Sequence, residues 1–455
     1  MISDWETHTI GDFLSHRKGF AFKSTQYKTE GRKIARVSNF TQRSIDTDGC
    51  NCIDEGEANQ FSEYILKAGD VVIATVGSWP TNPASVVGRA VRVPEEANGL
   101  LLNQNAVRLR SNEHISQQFL FYLLSAEHYQ NYIVSTAQGS ASQASIKLKD
   151  IFAYQALIPP LSEQKSIVSL LGALDDKIEN NRRMNKTLEE MAQAIFKSWF
   201  VDFDPVHAKV TGNAPAHMDA DTAALFPSSF GDDGLPMGWE KKSYGDLVSN
   251  TIGGDWGKEK EDDKHSDQVY IIRGTDIPSV RNNSKGKVPL RWVDPKKLAT
   301  RKLYEGDIVI EVSGGSPTQP TGRAVFITTE VLDRFEFPLI PTSFCRLMRP
   351  KEKKYALLLH LHLSNLYQNG GTWEYQNQST GIANFQTKYF LSKESVIVPS
   401  DQILAAFDSL TLSMLKKANN NENIILADLR DTLLPKLMSG EIHVADAEGE
   451  VEAAL

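Results

Sequence analysis

The feature that most constrains the fold is an internal duplication, because the chain carries one series of motifs twice in the same order. Trp239 lies 234 residues after Trp5, and Ile397 lies 239 residues after Ile158. Between these markers, residues 66–77 (LKAGDVVIATVG) match residues 303–314 (LYEGDIVIEVSG), and residues 88–91 match 322–325 (both GRAV). Four matches in one order and nearly one register indicate two copies of a single domain type.

Each copy follows the same plan. Short β-type runs broken by Gly, Pro, Asn and Ser are followed by an aliphatic helical stretch, a polar loop and a long helix. We therefore predict an α+β chain with a pseudo-two-fold repeat of two mixed α/β domains separated by two long helices. The predicted boundaries are 1–157 and 237–396 for the domains, 158–204 and 397–442 for the helices, 205–236 for a linker, and 443–455 for a disordered acidic tail.

The first long helix has an apolar seam with a seven-residue repeat, which is typical of a coiled coil and requires a partner helix. The second long helix repeats the pattern, so the two are predicted to pair antiparallel. Asn181 and Asn185 would then meet Asn423 and Asn419 and fix the register of the pair. The alternative is that these asparagines are exposed in frayed helices. A helix of this length spans roughly 58 Å and would hold the two domains apart.

Composition limits the class of protein. The three cysteines cannot form a disulfide framework, and Cys50 and Cys52 are interpreted as ordinary thiols. No signal peptide or long apolar run is found, so we expect a cytoplasmic protein without a membrane segment. The net charge of −8 argues against a uniformly basic nucleic-acid binder. However, the acidic excess lies in the first helix, the linker and the tail, whereas the two domains are neutral to mildly basic.

No catalytic motif is found. The chain lacks a phosphate-binding loop, a nucleophile elbow, a zinc-protease motif and the adenine-methylating signature. His360 and His362 are two residues apart on a predicted helix, so they are not expected to share a metal ion. Asp307 and Glu311 resemble part of a nuclease metal site, but the equivalent stretch of the first repeat has Asp70 and Thr75. The sequence therefore favours a binding protein without metal or catalytic residues.

The chain resembles the specificity subunits of type I restriction-modification enzymes over essentially its whole length. The most specific segments are residues 158–203, residues 225–240 (LFPSSFGDDGLPMGWE) and residues 426–442 (LADLRDTLLPKLMSGEI). The resemblance implies two target-recognition domains, each reading half of a bipartite, asymmetric site in double-stranded DNA. It also implies that the helices set the spacer and dock two methylation subunits, and that restriction and motor subunits join them.

The same resemblance implies that this chain binds no cofactor itself. S-adenosylmethionine, ATP and magnesium would be used by partner subunits for adenine-N6 methylation and ATP-dependent cleavage. Three other functions remain open from the sequence: the specificity subunit of a type II-like assembly, a two-headed scaffold that binds proteins, and an enzyme in its own right.

Base reading requires polar side chains projecting from loops, with Lys or Arg on the phosphates. Polar loops occupy matching places in the two repeats, at residues 78–85 and 139–149, then 313–321 and 376–388. DNA contacts are predicted in the first repeat at Ser78, Thr81, Asn82, Arg89, Ser140, Ser142, Gln143 and Lys147. In the second repeat they are predicted at Ser316, Thr318, Gln319, Arg323, Gln378, Asn384 and Lys388. The alternative is that these loops have only ordinary turn composition.

Overall fold

The computed structural model describes residues 5–79, 82, 85–140, 143–316, 319–379 and 382–454. The chain forms two compact units. Unit 1 comprises Met1–Lys177 and Leu426–Leu455, and unit 2 comprises Ile178–Ile425. Each unit therefore contains one predicted domain together with part of each long helix.

The secondary structure alternates short strands with helices. The strands are β1 Glu6–Thr9, β2 Leu14–Lys18, β3 Arg32–Ala35, β4 Asn51–Ile53, β5 Val71–Ala74, β6 Val76–Gly77, β7 Ala90–Arg92, β8 Leu101–Leu102, β9 Ala106–Ser111, β10 Gln138–Ser140, β11 Gln143–Ser145, β12 Gln155–Ile158, β13 Glu240–Ser243, β14 Val248–Gly253, β15 Asp267–Ile272, β16 Leu290–Val293, β17 Ile308–Glu311, β18 Ser313–Gly314, β19 Ala324–Phe326, β20 Leu339–Pro341, β21 Cys345–Pro350, β22 Gln376–Ser379, β23 Ile382–Phe385 and β24 Ser395–Val398. The helices are α1 Glu55–Ala58, α2 Gln117–Ser125, α3 Glu127–Ser135, α4 Leu148–Phe152, α5 Leu161–Phe200, α6 Asp204–Val210, α7 Ala220–Leu225, α8 Ile277–Arg281, α9 Pro295–Arg301, α10 Thr329–Asp333, α11 Ala356–Gln368, α12 Thr387–Lys393, α13 Asp401–Ala418, α14 Glu422–Ser439 and α15 Val444–Ala454.

The sheets show that the two units have the same topology. Unit 1 contains sheets in the orders β2-β9-β5-β7, β4-β3-β8, β10-β11-β6 and β1-β12. Unit 2 contains sheets in the orders β14-β21-β17-β19, β16-β15-β20, β18-β23-β22 and β13-β24. In both units the second of these sheets has one parallel pair, β3 with β8 and β15 with β20. The predicted duplication and the α+β class are therefore confirmed.

The Gly-Asp motif before the central strand of each unit has a structural role. The Asp70 carboxylate accepts a hydrogen bond from Lys67 N at 2.7 Å and pairs with Arg110 through two contacts of 2.6 and 2.8 Å. Asp307 forms the same bidentate pair with Arg349, at 2.8 and 2.7 Å. Both aspartates are almost fully buried, so each requires a paired cation. The motif thus fixes the turn that leads into β5 or β17.

The first long helix, α5, is continuous over 40 residues and begins in unit 1. Its first turn is tied to the domain by Gln164, which is 1% exposed. The Gln164 side chain accepts from Ser116 N at 2.8 Å and donates to Pro159 O at 2.9 Å. Trp5 Nε1 donates to Glu163 Oε2 at 2.9 Å. The repeated Trp and the Ser-Glu-Gln segment therefore join the domain of unit 1 to its helix.

The second long helix is not continuous, which corrects the prediction of one helix over residues 397–442. α13 ends at Ala418 and α14 begins at Glu422, with three asparagines between them. Asparagine has a low helix propensity because its side chain bonds the local backbone. Asn419 Nδ2 donates to Leu415 O at 2.8 Å, and Arg334 Nη2 donates to Asn419 O at 2.7 Å. Sequence periodicity missed this break because the apolar spacing continues across it.

The Arg334 side chain fills the break from the domain of unit 2. It is 3% exposed, and it donates to Asn421 Oδ1 at 2.8 Å and to Asn283 Oδ1 at 3.0 Å. Burial lowers the pKa of Arg334 to about 10, and the charge is compensated by these amide and carbonyl oxygens. Arg334 therefore attaches the domain of unit 2 to the second helix.

Two further boundaries differ from the predictions. Residues 205–236, predicted to be a tether, fold against unit 2, with Val206 and Phe226 buried and the Phe226 ring 4.9 Å from Trp199. Their apolar residues outweigh the Pro, Gly and Asp content on which the linker prediction rested. The tail, predicted to be disordered, forms α15 with Ala447 buried. Its Ala and Glu residues are good helix formers, and this local propensity prevails over the acidic charge.

Candidate nucleic-acid interface

The polar loops predicted to contact DNA are brought together in each unit by a small three-stranded sheet. Hairpin sheet 1 consists of β6, β10 and β11, and hairpin sheet 2 consists of β18, β22 and β23. In hairpin sheet 1, Ala144 pairs with Gly77, and in hairpin sheet 2, Ala383 pairs with Gly314. The loop that follows β6 or β18 therefore starts beside the hairpin that precedes α4 or α12. The sequence treated these segments as separate loops, and the structure joins them.

Hairpin sheet 1 carries exposed polar side chains at several predicted positions. Ser140, Gln143 and Lys147 are exposed, as is Asn82 in the preceding loop, while Ser78 is half-buried. Trp79 Nε1 donates to Ser140 O at 2.6 Å, which ties the loop to the hairpin. Thr81 and Ser142 lie outside the described residues. These contacts fix one polar surface formed by two segments that are distant in sequence.

Hairpin sheet 2 has the same arrangement. Gln319, Asn384 and Lys388 are exposed, and Ser316 is half-buried. Ser313 Oγ lies 3.0 Å from Asn384 Oδ1, which joins β18 to β23. Thr318 lies outside the described residues, and Gln378 is placed in β22 only by its backbone. The two predicted loops are thus adjacent in unit 2 as well.

The two arginines of the repeated GRAV motif are engaged inside their domains. Arg89 donates to Thr41 O at 3.1 Å and to Ser85 O at 3.0 Å. Arg323 forms a bidentate pair with Glu311 at 2.9 and 2.7 Å. The Glu311 hydrogen bonds raise the pKa of Arg323, and desolvation opposes them. This geometry gives both arginines a role in holding the strand ends, and their DNA contacts remain predictions.

The two carboxylates compared above with a nuclease metal site, Asp307 and Glu311, are both engaged by arginines. The Glu311 carboxylate is 3% exposed and is occupied by Arg323, while Asp307 is occupied by Arg349. Each carboxylate is therefore neutralised by its own guanidinium. Among the residues that the structure describes, no cluster of three or more His, Cys, Asp or Glu side chains is arranged to hold a metal ion.

The two histidines of α11 have separate environments. His360 is buried, its Nδ1 has no hydrogen-bond partner among the described residues, and burial lowers its pKa to about 3. His362 Nε2 lies 2.6 Å from Glu394 Oε1, and Glu394 also accepts from Tyr375 OH at 2.5 Å. Both histidines therefore act inside unit 2 and do not converge on a common ligand.

In unit 2 the long helices pair antiparallel. Asn181 Nδ2 donates to Asn423 Oδ1 at 3.0 Å, and farther along α5 the Phe200 ring lies 4.8 Å from Phe407 of α13. Asn185 and Asn419 are buried as well. The Asn419 amide bonds Leu415 and Arg334 as described above. The control of register by these asparagines remains a prediction.

The sequence reasoning missed one surface feature beside hairpin sheet 2. Trp256 and Phe344 are 46% and 52% exposed, and their ring centroids lie 6.1 Å apart. The signal was present in the sequence, because Trp256 follows Gly-Gly-Asp in a polar segment where an apolar side chain is unexpected.

Among the described helices, none is both long enough and apolar enough to cross a membrane. Two similar domains, each with a polar hairpin sheet and each attached to part of a long helix pair, define a recognition protein built by duplication.

The comparisons agree with this class. Residues 2–190 match the family described as the type I restriction modification DNA specificity domain. The chain is 27% identical to the type I restriction enzyme HindI specificity subunit of Haemophilus influenzae, over 97% of this chain and 100% of that protein. It is 26% identical to the MjaIX specificity subunit of Methanocaldococcus jannaschii, over 97% of this chain and 94% of that protein.

A solved type I restriction-modification S subunit from M. genitalium matches 96% of each chain at 14% identity, with a TM-score of 0.48. These sequence matches confirm the resemblance, predicted from the sequence, of this chain to the specificity subunits of type I restriction-modification systems.

Proposed function

We propose that this chain is the DNA-recognition subunit of a type I restriction-modification complex and that each unit reads one half of a bipartite site. The observation that carries the proposal is the duplicated hairpin sheet. In both units this surface presents an exposed amide side chain and an exposed lysine, from Gln143 and Lys147 in unit 1 and from Asn384 and Lys388 in unit 2. A protein that reads two different half-sites requires two such surfaces of similar geometry and different composition.

The residue types suit this task. Asn and Gln side chains form bidentate hydrogen bonds with adenine in the major groove, Ser and Thr accept or donate to several bases, and Lys neutralises phosphates. Gln143 and Asn384 are exposed on corresponding hairpins, and Lys147 and Lys388 follow them at the start of the next helix. The overall charge of −8 is compatible with DNA binding because these lysines stand at the proposed surface.

The partners follow from the family. We propose that two methylation subunits dock on the long helices and that restriction and motor subunits complete the complex in the cytoplasm. S-adenosylmethionine, ATP and magnesium would belong to those partners, for adenine-N6 methylation and ATP-dependent cleavage. The continuous α5, about 60 Å long, suits a spacer that fixes the number of unread base pairs between the half-sites.

Genome-wide mapping of methylated bases tests the proposal. A host with the gene should show one motif with two specified halves, a fixed unspecified spacer and one methylated adenine on each strand. Deleting the gene should remove that motif alone. A methylation pattern that is the same in both hosts would contradict the proposal. Cleavage of DNA beside the site without ATP would assign the chain to a type II-like assembly instead.

A further inference from the structure

Trp256 and Phe344 form an exposed aromatic pair on the surface that continues from hairpin sheet 2. Phe344 O accepts hydrogen bonds from Val312 N at 2.9 Å and from Ser313 N at 3.2 Å. Ser313 in turn lies against Asn384, a predicted DNA contact. The aromatic pair is therefore one residue away from the polar surface assigned to base reading.

The backbone holds this pair in place. Gly254 N donates to Cys345 O at 3.2 Å, and Asp255 N donates to Pro341 O at 3.0 Å. A Cβ atom at Gly254 would lie 1.9 Å from Pro341 O, so only glycine permits this close approach. The segment bearing Trp256 is thus fixed against the segment bearing Phe344. Ring pairs of this geometry stabilise one another, and a rigid aromatic loses little conformational entropy on binding.

Cations lie close to the pair. Arg301 Nε donates to Gly253 O at 3.0 Å, and Lys297 forms an ion pair with Asp255. Because Lys297 is neutralised by Asp255, Arg301 is the cation beside the rings that suits a phosphate backbone. This setting favours a DNA partner over an apolar protein surface.

Unit 1 has different residues at the equivalent positions. Gly19 corresponds to Gly254, since a Cβ atom at Gly19 would lie 2.0 Å from Asn103 O. Two residues later, unit 1 has Ala21 where unit 2 has Trp256. Thr75 N donates to Asn105 O at 2.8 Å, as Val312 N does to Phe344 O, so Asn105 corresponds to Phe344. The same place in the fold thus carries an amide in unit 1 and an aromatic pair in unit 2.

We propose that Trp256 and Phe344 are specificity-determining residues that make an apolar contact with the bases of the half-site read by unit 2. The proposal rests on the function proposed above. The contacted apolar surface is either the C5 methyl group of a thymine in the major groove or the face of a base at an opened step. At the equivalent place, Asn105 gives unit 1 a polar contact and a different base preference.

The test uses the full-length chain in complex with its methylation subunits and duplexes carrying the motif found by methylation mapping. Each base pair of both half-sites is changed in turn, and binding is measured for the wild-type complex and for Trp256→Ala/Phe344→Ala. The double variant should bind the motif about tenfold more weakly, which corresponds to one lost base contact. Its discrimination should be lost at one or two adjacent base pairs of one half-site and retained elsewhere.

Replacing thymine by uracil at those positions distinguishes the two sources of the contact. If the wild-type complex loses affinity for the uracil duplex and the double variant does not, the contact is with the methyl group. If the affinity of neither complex changes on the uracil duplex, while the double variant still loses discrimination at adjacent base pairs, the contact is with the face of a base. Either result supports the proposal.

Tyr304→Ala is the matched control. Tyr304 is also an aromatic residue of unit 2 and is 49% exposed. It precedes β17, whereas Phe344 lies beside β18, which follows β17 and belongs to hairpin sheet 2. The Tyr304→Ala variant should leave discrimination unchanged. Phe344→Leu keeps an apolar side chain and should retain most of the affinity, which guards against a folding defect in the double variant.

An unchanged base preference in the double variant, or an equal loss of affinity on every duplex including unrelated DNA, would overturn the proposal. Failure of the proposed function is a different result, because the wild-type complex would then show no preferred motif at all.

Discussion

The two units share a topology but attach their domains to the long helices by different interactions. In unit 1 the attachment includes, besides the contacts of Glu163 and Gln164, a buried ionic cluster around Asp175 of α5. Its carboxylate accepts from Arg430 Nη1 at 2.7 Å and from Tyr122 OH at 2.8 Å. The Arg43 guanidinium lies over the Phe121 ring at 4.9 Å and 3.8 Å from the same carboxylate. Domain and helices are therefore joined by charges that depend on one another.

In unit 2 the attachment is mainly apolar. Phe196, Trp199 and Phe200 of α5 pack with Phe407 of α13 and with the domain in one continuous core. Polar contact is supplied by Arg334 at the helix break, which bonds neutral amide and carbonyl groups, and by the ion pair of Arg281 with Glu189 of α5. Domains of the same topology are thus attached to the long helices with a buried cluster of charged side chains in unit 1 and with a packed group of aromatic side chains in unit 2. The two units should consequently respond differently to mutation and to pH.

The largest expected effect comes from removing the central charge of unit 1. Asp175→Ala would leave Arg430, which is 5% exposed, with Asp431 as its remaining carboxylate partner, and breaking such a buried pair costs about 3 kcal/mol. Hydrogen exchange measured by mass spectrometry should show faster exchange in the peptides of unit 1 and no change in those of unit 2.

Two variants control this result. Lys354→Ala removes an ion pair with Asp401 at the surface of unit 2 and should have no measurable effect. Replacing both partners, as Asp175→Leu/Arg430→Met, should recover part of the lost stability. Equal loosening of both units by Asp175→Ala would show that the cluster does not act locally.

A smaller effect separates the units by pH. The pKa of His360 in the folded chain is about 3 because of burial, with a further lowering from Arg281. The unfolded chain takes up a proton near the ordinary value of about 6.5. The contribution of neutral His360 to the free energy of unfolding is therefore fully present above about pH 6.5. It decreases as the pH falls toward 3, by about 2 kcal/mol at pH 5.

The variant that tests this is His360→Phe, which places in unit 2 the residue found in unit 1. Ser364 and Ser125 occupy equivalent places, and four residues before them stand His360 and Phe121. Denaturant unfolding at pH 7 and pH 5 should show that this variant is less sensitive to acid than the wild type. The prediction fails if the acid sensitivity of unit 2 is the same in both proteins.

The smallest expected effect concerns the helix pair of unit 2. Asn181→Leu alone leaves the Asn423 carbonyl oxygen without its donor and should cost about 1 kcal/mol. The double variant Asn181→Leu/Asn423→Leu should be at least as stable as the single one, because Asn423 Nδ2 already lacks a partner in the part of the chain that the structure describes. Chemical denaturation measures both, and a double variant less stable than the single would show that the asparagines stabilise the pair in another way.

The sequence predicted what depends on periodicity and repetition, and it missed what depends on contacts between distant residues. The duplication, the continuous α5 and the family all follow from residues that are close in sequence. The hairpin sheets could not be foreseen, because they need β6 to meet β11, and β18 to meet β23, across more than 60 residues.

The pairing of Arg323 with Glu311 inside the domain could not be foreseen either, because it also depends on the folded arrangement of the strands. A polar loop followed by arginine suggests a phosphate contact until the buried carboxylate opposite it is known. The break between α13 and α14 was visible as three consecutive asparagines. It was overlooked because the apolar spacing on both sides suggested one seam, and Arg334, which fills the break, lies 85 residues from Asn419.

The central claim is that two independent readers recognise two half-sites, and a domain exchange tests it most directly. Residues 1–157 are replaced by the corresponding block of a related specificity subunit that retains the equivalents of Trp5, Arg43 and Tyr122, so that the contacts to Glu163 and Asp175 persist. The methylated motif is then mapped in the host. We predict that one half of the motif changes while the other half and the spacer stay the same. A change in both halves, or a motif that is unaltered although the exchanged protein is folded and active, would contradict the account.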